Sequence, residues 1–556
     1  MTQTLIQTKR ATGAFALGLG AGVIALIAGL LIGGGAAATA LADAGEFVRL
    51  MQPIAKVILN FSMAVSVGSL ILAAFALPEK SNLLGKALDL AAGAAVVWAL
   101  SGALNFLLTY LLISGSSIST DATFGESLWL FATSIELGRS LALNAAAAIA
   151  VSVLAISFRS LTATALLAAL GLAALVPLAL IGHAAGTANH SLAVNAIGVH
   201  LVAVVIWVGG LVALFTLRGN SAEEASTLTK RYSSLALLAF GLVTISGISS
   251  AIIRIDSFDK IFSSYGLLVL LKAAALVLLG VLGAVYRTRL IAKLAASAPA
   301  VKNFFGLVLV EFAIMGTAMG LATALGKTPT PAGAEWVSDV TPAQLLTGEP
   351  LPPELTAASF FTEWRFDLVW AIVSFGAIAA YLIGVRKLAK RGDKWPWART
   401  ASWVVGMLVL FYTTSGALNA YQEYLFSIHM IGHMILAMLI PVLLVPGAPV
   451  TLLMRAVDKR HDDSRGIREW VLWAVHTKYA RFVANPIVAA VLFASSLVTF
   501  YYTPLFSWAT SEHIGHMWMV LHFLITGYLF AQALIGIDPG PEIGRASCRE
   551  RVSSPV

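Results

Sequence analysis

Long apolar runs separated by short polar segments dominate the chain. A hydrocarbon core of ~30 Å needs about 20 apolar residues of helix. Runs long enough to span fall at 13–33, 53–77, 87–113, 140–158, 161–182, 192–217, 234–253, 265–286, 303–325, 366–385, 401–418, 425–446, 485–502 and 513–535. Gly or Pro punctuates several of their ends. The pattern predicts an all-α fold: a polytopic bundle of fourteen spans in two groups. Lys56 lies near one end of its run, where the ammonium can snorkel to water.

Composition strengthens this reading. Of 556 residues, 58% are apolar and 12% charged, against ~45–50% and ~25% in an ordinary soluble domain. One globular core cannot bury so much apolar surface, so the surplus faces a lipid bilayer and a soluble enzyme is excluded. The formal charge is +8, from 36 Lys and Arg against 28 Asp and Glu. In a membrane chain such an excess orients the spans and does not imply nucleic acid. With Lys9 and Arg10 in the cytoplasm and the spans alternating, 25 basic residues fall in cytoplasmic segments, most densely at 386–399 and 455–481. Seven fall outside: Arg49, Lys56, Arg139, Arg254, Lys260, Lys327 and Arg365. Residues 11–42 also end in Ala40-Leu41-Ala42, which satisfies the cleavage rule of a signal peptide. The apolar run is long for one, which favours a retained helix.

Two segments interrupt the pattern. Residues 327–365 form the longest outer loop and carry Pro329, Pro331, Pro342, Pro350, Pro352 and Pro353, which suits an extended linker. Residues 542–556 hold three Arg and the only cysteine, Cys548, without an apolar period. They resemble a vector-derived ending and are expected to be non-native, with the natural chain continuing into further helices. A single cysteine excludes an intrachain disulfide and cysteine-based metal clusters. Any metal site must draw on His, Met and carboxylates.

Eight of the ten histidines lie in outer loops or the outer halves of spans on this topology, His461 and His476 being the exceptions. His429 and His433 are four residues apart, stacked on one helical face at metal-chelating spacing. Met430, Met434 and Met438 run beside them; thioethers suit Cu(I), though a methionine stripe at helical spacing more often packs than ligates. A polar pair inside a span is functional by default. His513 and His516 share a face at the mouth of the last span, while His522 points nearly opposite. One site could draw on both clusters. A third group comprises His183, His190 and His200, the last preceding the small-residue stretch Trp207-Val-Gly-Gly210. Lys272 and Glu311 lie inside neighbouring runs. Unpaired, each costs on the order of 2.5–3.5 kcal/mol, so the two are expected to form an intramembrane pair, structural or for transport.

The stretch His200-Leu-Val-Ala-Val-Val-Ile-Trp207-Val-Gly-Gly210 resembles the signature of CopD-type copper resistance membrane proteins. So do Arg231-Tyr-Ser-Ser, Ser264-Tyr-Gly-Leu-Leu-Val-Leu-Leu-Lys272, Tyr286-Arg287 and Val310-Glu311. Residues 366–541 resemble the CtaG-type cytochrome c oxidase assembly factors of Gram-positive bacteria. There the resemblance rests on the His429/His433 motif with Pro441 and Pro446, on Asn485-Pro486, and on Tyr501-Tyr-Thr-Pro504 leading to His513, His516 and His522. The fusion is similar to an actinobacterial architecture. It implies N-terminal membrane helices over 1–180, a copper-handling domain over 183–326 and an assembly-factor domain over 366–541. It implies copper as the ion handled at the outer face of a bacterial plasma membrane, an oxidase subunit as partner, and no enzymatic activity. On the residues alone two alternatives stay open. One is a b-type haem electron-transfer protein using His433 with His522, or His200. The other is a solute or proton transporter built on Lys272 and Glu311.

Overall fold

The computed structural model describes residues 2–38, 43–181, 190–217, 222–255, 257–290, 298–331, 341–347 and 349–538. In hydrocarbon every backbone N–H and C=O must bond within its own segment, which leaves helix as the structure of a spanning run. Among the described residues, thirteen helices are long and apolar enough to cross a membrane, and a bent pair brings the number to fourteen. Apart from one isolated bridge between Pro78 and Ser464, no β pairing occurs there.

In chain order the spans are Phe15–Gly33, Glu46–Ala76, Asn82–Ser114, Glu136–Ser157, Leu161–Leu180, His190–Leu217 and Glu223–Ile255. Then come Ser264–Arg289, Gly306–Leu325, Leu368–Lys390, Trp397–Tyr421, Phe426–Ala456, the bent pair Pro486–Tyr501 with Leu505–Ser511, and His513–Ile535. They are called the first to the fourteenth below. Each answers to one predicted run. Proline explains two irregularities. The fifth span breaks between Ala173 and Val176, because Pro177 has no N–H for the carbonyl four residues back. The thirteenth bends by 70° where Thr503 and Pro504 intervene. A helix at Ala122–Thr133 was not expected; its apolar run is too short to span.

The chain divides into two compact units. The first comprises residues 1–187, 193–335 and 462–465, the second 188–192, 336–461 and 466–556. In the first unit, glycine lets backbones touch. A Cβ on Gly316 or Gly320 of the ninth span would overlap the carbonyl oxygen of Gly18 or Gly22 in the first. The glycines stand four apart on both helices, the small-xxx-small arrangement that replaces hydrophobic driving force in lipid. The first span is thus a packed element of this unit. Gly68 of the second span meets Gly209 of the sixth in the same way. Buried polar groups bridge helices: Asn144 accepts from Trp98 Nε1 at 2.8 Å and donates to Ala174 O at 2.8 Å. Residues 462–465 close this unit, with Asp462 accepting from Arg231 at 2.7 Å and Arg465 reaching Glu79 and Thr162.

The second unit holds the tenth to fourteenth spans around Leu410, Leu436, Ile440, Phe500, Met519 and Phe523. The carboxylate of Asp538 accepts from the backbone N–H of Val450 and Thr451, capping the helix Pro449–Ala456. The expected extended linker is largely built into this unit where described. Tyr421 and Tyr424 donate to the carbonyls of Pro353 and Pro350, and Asn419 donates to Arg365 O at 2.7 Å. Proline-rich backbone keeps its carbonyls, and here side chains satisfy them.

Candidate metal site

The twelfth span begins at Phe426, so His429 and His433 occupy its first two turns. Both are buried, at 1% and 0% exposure, with ring centroids 4.2 Å apart. His433 Nδ1 shares a 2.6 Å hydrogen bond with the hydroxyl of Tyr501, and the His429 ring lies against the backbone of Gln422. Both Nε2 atoms lack a hydrogen-bond partner among the described residues. A buried polar atom left unmatched costs about 1–3 kcal/mol, and such atoms call for an explanation such as an ion. Phe426, Phe500, Phe506 and Phe523 wall the pair, with Phe523 4.2 Å from the His433 ring and Phe506 5.2 Å from that of His429. The bend of the thirteenth span turns both Tyr501 and Phe506 onto the histidines.

Beyond His433 the helix widens into a π turn at Ile435–Leu439. Pro441 has no N–H for the carbonyl of Ala437, and Gly527 of the fourteenth span seats against that carbonyl, where a Cβ would overlap it. The close approach positions the last span's histidines. Gln422 Nε2 lies 3.3 Å from His516 Nε2, so Gln422 touches His516 with its side chain and His429 with its backbone. His516 lies within electrostatic reach of His513 and His429, and His513 within that of His190. Although it opens the sixth span, His190 belongs to the second unit. His522 stacks on Trp518 at 4.8 Å. Met430 and Met434 are half-buried and Met438 is exposed. They follow the histidines by one residue, about 100° round the helix, and so form a neighbouring face. Among the described residues, no three His, Cys, Asp or Glu side chains are grouped to hold a metal ion. The geometry is a two-imidazole pair with more imidazoles in sequence behind it.

His183 lies outside the described residues. His200 sits in the first unit with both nitrogens engaged: Nδ1 is 3.1 Å from Ser246 Oγ, and Nε2 is 3.3 Å from Lys272 Nζ. An ammonium only donates, so Nε2 accepts and Nδ1 carries the proton toward Ser246. The expected Lys272–Glu311 pair is therefore replaced. Lys272 meets His200, whereas Glu311 is buried beside Tyr286 and Trp207. Trp207 falls in another π turn, Val205–Gly209, again just beyond a histidine. Such turns recur at functional sites.

Tyr501, Gln422 and the ion cluster of Glu349, Arg365 and Glu423 were missed as site residues. Tyr501 stood in a motif without a role. Arg365 donates to Glu423 at 2.7 Å, lies 3.7 Å from Glu349, and donates to Ser191 Oγ at 3.2 Å. Loop charges carry no periodic signal, so only their shared position next to the outer ends of apolar runs pointed here. For a metal ion held by the histidine pair, Cu(I) being the ion tested, Tyr501→Phe is expected to weaken binding roughly 10–100-fold, as loss of a partner behind a histidine ligand does. A competition titration against a chromophoric Cu(I) chelator reads this; unchanged affinity removes Tyr501 from the site.

Comparison with known families extends the sequence resemblance toward the N-terminus. Residues 47–191 match the family described as copper resistance protein D-like, N-terminal domain, and residues 226–325 match copper resistance protein D. Residues 379–549 match the cytochrome c oxidase caa3 assembly factor family. An uncharacterized protein of Mycobacterium leprae is 28% identical over 508 residues, covering 90% of this chain and 74% of the relative. One of Mycobacterium bovis is 43% identical over 195 residues, 35% of this chain and 30% of the relative. The copper transport protein CutJ of Bacillus subtilis is 32% identical over 114 residues, 19% of this chain and 21% of that protein. No solved structure matches.

Proposed function

We propose that this chain, whose segments belong to the copper resistance protein D and caa3 oxidase assembly-factor families, is a multi-pass membrane protein that transports copper and delivers it for oxidase assembly, with His429 and His433 holding the ion in the second unit. The observation that carries the site assignment is the pair of buried, partnerless Nε2 atoms. Copper is cargo here, taken up and released by ligand exchange; no catalytic step is involved. Two neutral imidazoles in an aromatic pocket suit Cu(I), which accepts two donors. Zinc fills four positions, and no third His, Cys, Asp or Glu is grouped with the pair among the described residues. Tyr501 holds the His433 ring through Nδ1 and the Gln422 backbone lies against His429, the role of outer-shell partners at metal sites. Met430 and Met434 serve as thioether donors on the neighbouring face during transfer.

The basic-residue bias supports an N-terminus in the cytoplasm of a bacterial plasma membrane, which puts the pair near the outer surface for delivery to an oxidase subunit. His513, His516 and His190 then lead inward from the outer ends of their spans, with His522 beside the pair. In the first unit, His200 takes part in passage only when Lys272 withdraws from its Nε2. A b-type haem held by His433 with His522, or by His200, is the alternative that the absorption spectrum below separates from copper.

The test is elemental analysis with an absorption spectrum on the same detergent-purified protein. About one copper or more per chain without a Soret band, lost on mutating His429 and His433, upholds the reading. A Soret band with little copper overturns it.

A further inference from the structure

The segment between the twelfth and thirteenth spans carries apolar side chains that the described residues leave uncovered. It runs from Ala456, where the twelfth span ends, to Pro486, where the thirteenth begins, so both its ends stand at one surface of the bilayer. Seven of the nine residues of the helix Ile467–Val475 are apolar, yet none is buried. Its two polar side chains turn back to the loop's own backbone. Glu469 accepts from the N–H groups of Arg460 and Gly466 at 3.1 and 2.9 Å, and Arg468 donates to Val457 O at 2.9 Å. Ile467, 58% exposed, shares the opposite side with Val471 and Ala474. The short helix Lys478–Val483 follows. Tyr479 and Phe482, three residues apart, share one of its faces and are 75% and 61% exposed. Lys478 and Arg481 share the face beside it, both exposed. Other cations at this surface find carboxylates: Arg391 donates to Asp458 at 2.8 Å, and Arg455 lies 3.6 Å from Asp393. Lys478 and Arg481 have no carboxylate partner among the described residues.

We propose that residues 467–483 form a strap lying in the bilayer surface that binds the phosphates of anionic phospholipid headgroups, with Lys478 and Arg481 as the cations that contact them. The inference needs only the membrane-spanning fold and stands whether or not the chain handles copper. An apolar helix side left open at a membrane surface lies against the boundary of headgroups and acyl chains, where it leaves water. Tyrosine suits that depth, because its ring is apolar and its hydroxyl stays wet. Each cation precedes one of the two exposed rings by one residue, about 100° round the helix. Rings seated in the boundary therefore hold Lys478 and Arg481 at the layer of phosphate oxygens. An arginine fork pairs phosphate bidentately, and a lysine adds a point charge. The orientation of the spans asks only for positive charge somewhere in this loop. It does not ask for two unpaired cations stacked beside two exposed rings. A second copy of the chain is the poorer occupant, since a twofold contact sets a patch against itself and would bring the same cations together.

The test is hydrogen exchange on the full chain in nanodiscs of phosphatidylcholine alone, or of phosphatidylcholine and phosphatidylglycerol in equal parts. A basic residue near an anionic surface gains about fivefold in equilibrium constant. With two such residues, the amides of 467–483 are expected to exchange roughly five- to 25-fold more slowly when phosphatidylglycerol is present. Lys478→Gln combined with Arg481→Gln should abolish that difference. Both side chains are exposed, and exchange in the rest of the chain reports that the variant is folded. Inorganic phosphate added to the phosphatidylcholine discs should leave the segment as fast as before. Equal exchange in the two lipids overturns the proposal and leaves the face to a protein partner. A difference that survives in the double variant, or slowing by inorganic phosphate alone, overturns it as well.

Discussion

Exchange of His429 and His433 for leucine, together with Tyr501→Phe, is expected to abolish copper binding while leaving the copper-free protein as stable as wild type or more so. Most multiple substitutions at buried positions destabilise. Here the starting state already carries two unmatched Nε2 atoms in an aromatic pocket. Each costs about 1–3 kcal/mol. Leucine fills most of the imidazole volume without a polar atom, and phenylalanine at 501 removes the hydroxyl that would lose its Nδ1 partner. Replacing a buried polar constellation as a set is often neutral or stabilising, whereas removing one member exposes the rest. The single variant His433→Leu should therefore be less stable than the triple. Thermal unfolding in detergent, run on chelator-stripped protein, measures this directly. A triple variant several degrees below wild type would mean that the histidines hold the fold together and are not kept for a ligand.

Gly209→Leu is expected to destabilise the first unit by about 3 kcal/mol or more, enough to prevent recovery of monodisperse protein. The added side chain would begin inside the carbonyl oxygen of Ala64 and close to the backbone of Gly68. Backbone on both sides cannot rotate away as a side-chain tip can. The π turn that starts at Val205 would have to move, and with it Trp207, which lies beside Glu311, and the start of the turn after His200. Gly283 gives the control. It too is a glycine in a span, but nothing lies within 4 Å of where its Cβ would be. Gly283→Leu should be tolerated, and helix propensity even favours it by a few tenths of a kcal/mol. Equal yields and unfolding temperatures for the two variants would contradict the close crossing of the second and sixth spans.

These two expectations differ in how far the sequence reaches them. The His429/His433 stack follows from local spacing, because 3.6 residues per turn bring positions four apart together whatever surrounds them. That Tyr501 would fix one of those rings does not follow: 68 residues separate it from His433, and the 70° bend of the thirteenth span swings it into place. The same holds for charge pairing. Lys272 and Glu311 were matched because both are costly in lipid, but cost alone does not choose a partner. Lys272 meets His200 and Glu311 meets Tyr286 and Trp207, since each takes the polar group at its own depth and on its own face. Arg365 was counted only as an outer basic residue, and the residues it joins are Ser191, Glu349 and Glu423, far apart along the chain.

By itself the sequence determined the all-α class, the fourteen runs able to span, the histidine pair and the family resemblance in both halves. Each of these depends on contiguous residues meeting lipid or on helical spacing, and both are local properties. Tertiary structure alone decided which nitrogens stay unmatched, which glycines bring backbones into contact, and which carboxylates the buried arginine pairs with. Those outcomes depend on where separate helices meet, and in a membrane that is set by close packing of small residues and by the few polar groups that must find one another.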